Sequence, residues 1–231
     1  PRHPPKPSTG CFVSSPLLGI VCGMQTEAHT LGRKALTPGV LHTVSGARPE
    51  LAEEGARWLA DEGCRLLLSY GVSGGLDPAL APGTVLRPVG LAMDGGPHAL
   101  AFGEDDVTLT GSDVMVLTPE EKAALHARTG AVAVDMESHA VARIAAERGL
   151  RMAALRAIGD PAGSTLPPFV TGGLSATGHQ RPWPVIAGLI RRPGWLPALM
   201  QLKRDTDQAL RALTAEVEDG AIDRLLEAAE G

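Results

Sequence analysis

The sequence predicts an α/β protein: a three-layer α/β/α sandwich built on a central mixed β-sheet. Three observations carry that prediction. Short apolar runs alternate along the chain with stretches of helical spacing. Several of those runs end in glycine-rich or acidic turns, as strands do where they feed helices. Hydrophobic residues make up 44% of the 231 residues and charged ones 20%, enough for a sheet covered on both faces.

Taken in order, residues 1–16 hold five prolines and read as a flexible Pro-rich extension. Residues 17–231 read as one domain, with 181–231 a helical C-terminal region. From Leu17 the run LLGIVCGM is a buried strand that turns at TEAHT into a helix. A second strand covers Val40–Val44. Ser45-Gly46 then opens a helix from Arg48 to Asp61, with Leu51, Ala52, Ala56, Leu59 and Ala60 on one side. A strand at Leu66–Tyr70 runs into a glycine-rich bend at Gly71–Gly75. Pro82-Gly83 marks a turn before the strand TVLRPVGLAM, and Asp94–Asp106 reads as loop.

Val107–Val116 reads as a strand interrupted at Gly111. Thr118-Pro119-Glu120-Glu121 is a helix start: Thr caps, Pro takes the first helical position, and a Glu follows three residues after the cap. AVAV (131–134) is a short strand, followed by the helix DMESHAVARIAAERG, which Gly149 ends. MAALRAI is a buried strand stopping at Gly159-Asp160-Pro161. Residues 161–184 read as a long loop, and the helices beyond are interrupted by Pro193 and Pro197.

Composition removes several functional classes. The net charge is −5 and no long basic run occurs, so nucleic acid is not an expected partner. No apolar stretch is long enough to span a membrane, and PRHPPKPSTG lacks the apolar core of a signal peptide. Cys11, Cys22 and Cys64 form no CxxC pair, which fits a reducing, cytoplasmic location. The seven histidines show no HExxH and no paired spacing, so no metal site is expected.

Open α/β sheets bind ligands at the carboxyl ends of their strands. Four strand ends here carry unusual residues: GMQTE (23–27), GVSGG (71–75), VDMES (134–138) and GDP (159–161). Each alone has an ordinary explanation. The glycine segment matches neither GxGxxG nor a P-loop and could be a plain tight turn, or a cluster of backbone N–H groups for an anion or a sugar. Glu137 could simply complement the dipole of its helix. Asp160 before Pro161 could be a turn residue.

Together the blocks say more. GIVCGMQTEAHTLG, YGVSGGLDPALAPGTVL, AVAVDMESHAVARIAAERGL and ALRAIGDPA resemble, in order and spacing, the purine nucleoside and uridine phosphorylase superfamily, which includes the methylthioadenosine/S-adenosylhomocysteine nucleosidases. The resemblance runs from about Leu18 to Gly163. SGGLDP, TPEEKAALHARTGAVAVDMES and the tail LIRRPGWLPALMQLKRDTDQAL look like the hopanoid-associated phosphorylases within it. That resemblance implies an enzyme that breaks an N-glycosidic bond through an oxocarbenium-like transition state. Its implied substrate is a 5′-substituted adenosine of the adenosylhopane kind, from which adenine leaves. The alternatives are a methylthioadenosine/S-adenosylhomocysteine nucleosidase, or a non-catalytic protein that binds nucleosides in the same pocket.

The resemblance also assigns roles. Asp160 stands where the family has its base-side acid, and the role needs a carboxyl with a raised pKa. Glu137 matches the glutamate that accepts from the ribose hydroxyls, and Met136 the methionine under the sugar. Asp135 replaces the glutamate of some members. Val72, Ser73 and Gly74 fall near the sugar and the nucleophile. Met115 and Val116 occupy a base-pocket segment where many relatives carry an aromatic, and only 3% of this chain is aromatic. Glu27 matches the nucleosidase glutamate that positions water.

For the nucleophile, Gly23, Arg48 and Arg156 mark the implied phosphate or water site. Arg48 is the best phosphate ligand by position, or a solvated helix arginine. GMQTE lacks the GDPxR-like element of true nucleoside phosphorylases, and a carboxylate there repels phosphate. Phosphorolysis, with phosphate as co-substrate, and hydrolysis therefore both stay open. No other cofactor is expected. A homo-oligomer is expected from the resemblance. Trp183, Trp195, Arg191, Arg192, Lys203 and Arg204 mix aromatic and basic character, so the tail reads either as packed helix or as a peripheral membrane contact.

Overall fold

The computed structural model describes residues 17–94, 96–173, 178 and 182–230. The Pro-rich segment 1–16 lies outside the described residues, as does the side chain of Trp183.

The apolar run after Leu17 forms β1 (Leu18–Cys22), every residue of which is buried. It lies parallel between β2 (Val40–Val44) and β3 (Leu66–Gly75). On its other edge β3 runs parallel to β9 (Arg151–Asp160), which pairs antiparallel with β4 (Val85–Leu86). After Arg87 the chain continues as β5 (Pro88–Ala92), flanked by β6 (His98–Ala99) and by β7 (Asp105–Gly111). β7 pairs parallel with β8 (Ala133–Asp135), and β8 returns antiparallel to β3 at Gly74 and Gly75. The sheet is mixed, as the sequence predicts, and these pairings join β3, β9, β4/β5, β7 and β8 in a closed ring. Closure brings the last residues of β3, β8 and β9 side by side.

Alternation along β3 serves two cores at once. Leu66, Leu68 and Tyr70 face one layer, where Ala209, Leu213 and Val217 of α6 (Leu196–Glu218) and Ile222 of α7 (Ala221–Glu230) pack, along with Ala28 of α1 (Gln25–Thr30). Leu67 faces the other, formed by Ala52, Ala56 and Leu59 of α2 (Pro49–Asp61) and Ala140, Val141 and Ile144 of α4 (Ser138–Arg148). This is the three-layer arrangement read from the sequence. Two further helices are α3 (Pro119–Thr129) and α5 (Pro182–Arg191). In α3 the Thr118 hydroxyl accepts from the Glu121 N–H at 3.2 Å, Pro119 occupies the first turn, and the Glu121 carboxylate accepts from the Thr118 N–H at 3.0 Å.

Several boundaries differ from the sequence reading. Gly71–Gly75 is not a bend: β3 continues through Gly75, because both β9 and β8 hydrogen-bond to it. β9 likewise runs on to Asp160, with Gly74 opposite. TVLRPVGLAM is two strands broken at Arg87, where the Arg87 N–H donates to the Asp105 carboxylate at 2.6 Å. Residues 94–106 contain β6 and the start of β7, and β7 stops at Gly111 rather than running to Val116. The helix after β8 begins at Ser138, since Asp135 still belongs to the strand. Residues 161–184 include a 3₁₀ turn at Pro168–Gly173 and the first residues of α5. Pro197 does not interrupt a helix; it sits in the first turn of α6, where a missing N–H costs nothing.

α6 is the helix that closes the second core over β9. Leu213 is fully buried there. Leu213→Ala is expected to lower unfolding free energy by about 2–5 kcal/mol, read as a lower denaturation midpoint with an unchanged slope. An unchanged midpoint would show that α6 does not contribute to the core.

Candidate active site

Each functional side chain is carried by a strand end or by the turn just after it. Glu27 lies in α1, one turn after β1. Its carboxylate accepts from the Met24 N–H at 2.8 Å and the Val72 N–H at 2.9 Å. Gly71 makes that approach geometrically feasible: its φ is +151°, and a Cβ there would stand 2.5 Å from the Glu27 carboxyl carbon. Gly23 does the same for the next carboxylate, since a Cβ there would lie 2.6 Å from a Glu137 oxygen. Glu27 is 5% exposed. Burial raises its pKa, while Arg156 and the N–H groups of Val72, Met24 and Gly23 pull it down.

The turn after β8 sorts its two acids into separate tasks. Asp135 accepts from the N–H groups of Glu137 (3.1 Å) and Ser138 (2.8 Å), and so caps α4 itself. Glu137 sits at the N-cap position without capping, which frees its carboxylate for other partners. Burial, helped by Asp135 and Glu27, pushes Glu137 up to about 8, with Arg156 acting in the opposite sense.

Arg156 is the centre of this corner and is wholly buried. Its Nε lies 2.9 Å from Asp135 and one terminal nitrogen 3.3 Å from Glu137. The same nitrogen donates to Ser69 at 2.5 Å and to Ser138 at 3.3 Å. Two buried carboxyl groups thus share one guanidinium, and Glu27 feels its charge without a direct contact. The Nε contact with Asp135 is an ion pair outside hydrogen-bond geometry, and the other terminal nitrogen has no hydrogen-bond partner.

Asp160 ends β9 on the far side. Burial raises its pKa to about 6 against the pull of Lys122, with Asp205 adding to the rise. Lys122 is 1% exposed and donates to Asp160, and to the carbonyl of Pro161 at 2.9 Å. No local signal marks Lys122 in the sequence: in PEEKAALHART it reads as one more solvated helix charge.

A cavity of about 890 Å³ connects these groups. Gly23, Glu27, Val72, Ser73, Gly74, Met115, Val116, Asp135, Met136, Glu137 and Asp160 all line it, so the structure brings together nearly every residue singled out from the sequence. Two are not on its wall. Arg156 stands behind Asp135 and Glu137, and Arg48 is exposed at the N-cap of α2. The far wall went unrecognised in the sequence. It is aliphatic, with Leu166, Val170, Val185, Leu199, Leu202 and Leu210 among its members, and no aromatic residue lines the cavity among the described residues. The tail helices are therefore part of the pocket. Among the described residues, no helix is long and apolar enough to cross a membrane.

Comparisons with known proteins bear on the fold. Residues 106–171 match the family model of the Phosphorylase superfamily. Futalosine hydrolase of Helicobacter pylori has a similar structure: the TM-score is 0.62 at 15% identity, over 91% of this chain and 98% of that one. The 5′-methylthioadenosine/S-adenosylhomocysteine nucleosidase of Helicobacter pylori gives 0.61 at 15% identity, over 91% of this chain and 99% of that one. The corresponding nucleosidase of Neisseria meningitidis, in complex with methylthio-immucillin-A, gives 0.62 at 15% identity over 87% and 97%. These likenesses establish a shared fold. No curated protein matches the chain by sequence.

The raised acids have a consequence for stability. Glu137 moves from 4.5 to about 8 and Asp160 from 3.8 to about 6, so the folded chain keeps protons that the unfolded chain releases. Stability from these groups is full below the unfolded values and is lost as pH rises, through about 6 for Asp160 and about 8 for Glu137. The ligand-free protein should melt at a lower temperature at pH 8 than at pH 5, and Glu137→Gln should flatten the difference. Equal melting of the wild type at both pH values would contradict the burial of these charges.

Proposed function

We propose that this chain hydrolyses the N-glycosidic bond of a 5′-substituted adenosine, releasing adenine, and that the 5′ substituent is large and apolar, as in an adenosylhopane. The observation that carries the reading is one cavity whose wall joins the carboxyl groups of Glu27, Asp135, Glu137 and Asp160 to an aliphatic surface of Leu166, Val170, Val185, Leu199, Leu202 and Leu210.

In this mechanism Asp160 protonates the departing base, Glu137 holds the ribose hydroxyls, and Glu27 takes a proton from the attacking water. The value of about 6 for Asp160 suits a group that must hold a proton near neutrality and then lose it. The raised pKa of Glu27 makes it a stronger base than a free carboxylate. Water is favoured over phosphate by the charges present. Arg156 is held by Asp135, Glu137 and two hydroxyls, and Arg48 is outside the cavity. Lys203, on the wall of the cavity, is paired with Asp207 at 2.5 Å. A dianion beside Glu27, which must be ionised to act as the base, would meet repulsion.

The cavity volume, near the top of the roughly 300–1,000 Å³ range of small-molecule sites, supports a substrate larger than a plain nucleoside. Met115, Met136 and Val116 supply the adaptable apolar contact that a ring would otherwise give. Ile186, Ile190, Leu196 and Met200 are exposed on α5 and α6, with Arg191, Arg192 and Lys203 near them in sequence. That surface supports a peripheral contact with an anionic membrane presenting an amphiphilic substrate.

The test is adenine release from adenosines whose 5′ substituent grows from methylthio to a long or polycyclic alkyl. Turnover should rise with apolar bulk, and Asp160→Asn should lower kcat by about 10²–10⁴-fold while ligand binding persists. Preference for the methylthio compound would point to the nucleosidase reading. Binding without release from any member of the series would point to a nucleoside-binding protein.

A further inference from the structure

The mechanism above uses Asp160 but leaves its buried partner without a task. Lys122 reaches Asp160 from α3 and lines neither the large cavity nor a second one of about 190 Å³ that also borders Asp160. Its ammonium is satisfied by Asp160 Oδ2, by the Pro161 carbonyl at 2.9 Å and by the Ser164 carbonyl at 3.4 Å. Burying an ammonium is costly, and an ordinary loop anchor on two carbonyls could be neutral.

The asymmetry of the contact is the informative part. Lys122 takes Oδ2 and leaves Oδ1 without that cation; a Cβ on Gly74 would stand 3.2 Å from Oδ1 and 3.6 Å from Oδ2. A carboxyl whose Oδ2 accepts from a cation carries its own proton on Oδ1. The other groups facing Asp160 are few. Asp205 approaches from α6, itself accepting from Gln201 at 2.8 Å, while β3 presents only Gly74. The cation opposes both burial and Asp205, so the charge state of Asp160 is set between them.

We propose that Lys122 is the positioning residue of the base-side acid: it holds Oδ2, directs the acidic proton to Oδ1 facing the base, and pairs with the carboxylate left after transfer. The proposal rests on the glycosidic reading above. In the step, the Oδ1–H proton passes to a ring nitrogen of the purine as the C1′–N bond breaks, with its electron pair going to the base. Water adds at C1′ and loses its proton to Glu27. Asp160 ends as a carboxylate against the Lys122 ammonium, an ion pair stronger in the product state than in the ground state.

The experiment compares the full-length wild type with Lys122→Gln and Lys122→Arg. Removing the cation should raise the pKa of Asp160, so the high-pH limb of kcat for adenine release should move upward by about one to three pH units in Lys122→Gln. Lys122→Arg should leave the limb within a few tenths of a unit of the wild type. A lower kcat or melting temperature in Lys122→Gln with an unmoved limb would reduce Lys122 to a structural anchor and overturn the proposal. If Lys122→Gln does not fold, wild-type carbon-13 NMR decides. The Asp160 carboxyl resonance, assigned with Asp160→Asn, and the Lys122 Cε resonance should then titrate with one midpoint. A Lys122 resonance indifferent to that titration would overturn the proposal equally. The NMR result does not depend on turnover, so loss of the glycosidic reading and loss of the Lys122 role remain distinguishable.

Discussion

A single buried guanidinium organises this molecule. Arg156 sits in the middle of β9, among the apolar residues between its charged ends, and a charge in that position persists only with partners. Asp135 and Glu137 from the turn after β8 supply the charge, and Ser69 and Ser138 supply the hydroxyls. Those contacts fasten β3, β8, β9 and the first turn of α4 at one point. The same point sets the electrostatics of the cavity. With the guanidinium paired to two carboxyl groups and a third nearby, burial keeps Glu27 and Glu137 above their ordinary values, and the corner has a surplus of acid rather than of base. The architecture and the chemical character of the site are therefore two consequences of one ion cluster.

At the opposite end the problem is solved differently. Asp160 is ion-paired with Lys122 and feels Asp205, and it borders a small cavity with Leu166 and Leu202 of the aliphatic wall. The cavity wall thus combines an acidic, hydrogen-bonded corner, the Asp160 carboxyl and an aliphatic surface. α6 links the two tasks: one stripe closes the core through Ala209 and Leu213, and another lines the cavity through Leu199, Leu202 and Leu210.

Much of this could be read in the sequence, and the gaps have physical causes. Strands such as Leu18–Cys22 and caps such as Thr118 are local events, encoded within a few residues. The acids at strand ends were legible because the pattern of four blocks is long. The length of β3 was not: glycines in sequence signal a turn, and only pairing with β8 and β9 turns Gly71–Gly75 into strand. Arg156 stands out in the sequence as a charge within an apolar run, yet its spatial place behind Asp135 and Glu137 depends on closure of the ring. Lys122 and the aliphatic wall depend wholly on tertiary approach between α3, α5, α6 and β9, for which no short motif exists.

The central claim is that the acid-rich corner around Arg156 admits water and repels phosphate. The most direct test is turnover of a 5′-alkyl adenosine in ¹⁸O-labelled water with excess inorganic phosphate. The account predicts a free sugar whose C1 hydroxyl carries the label, released at a rate independent of phosphate. A sugar 1-phosphate, or adenine release that requires phosphate, would contradict it.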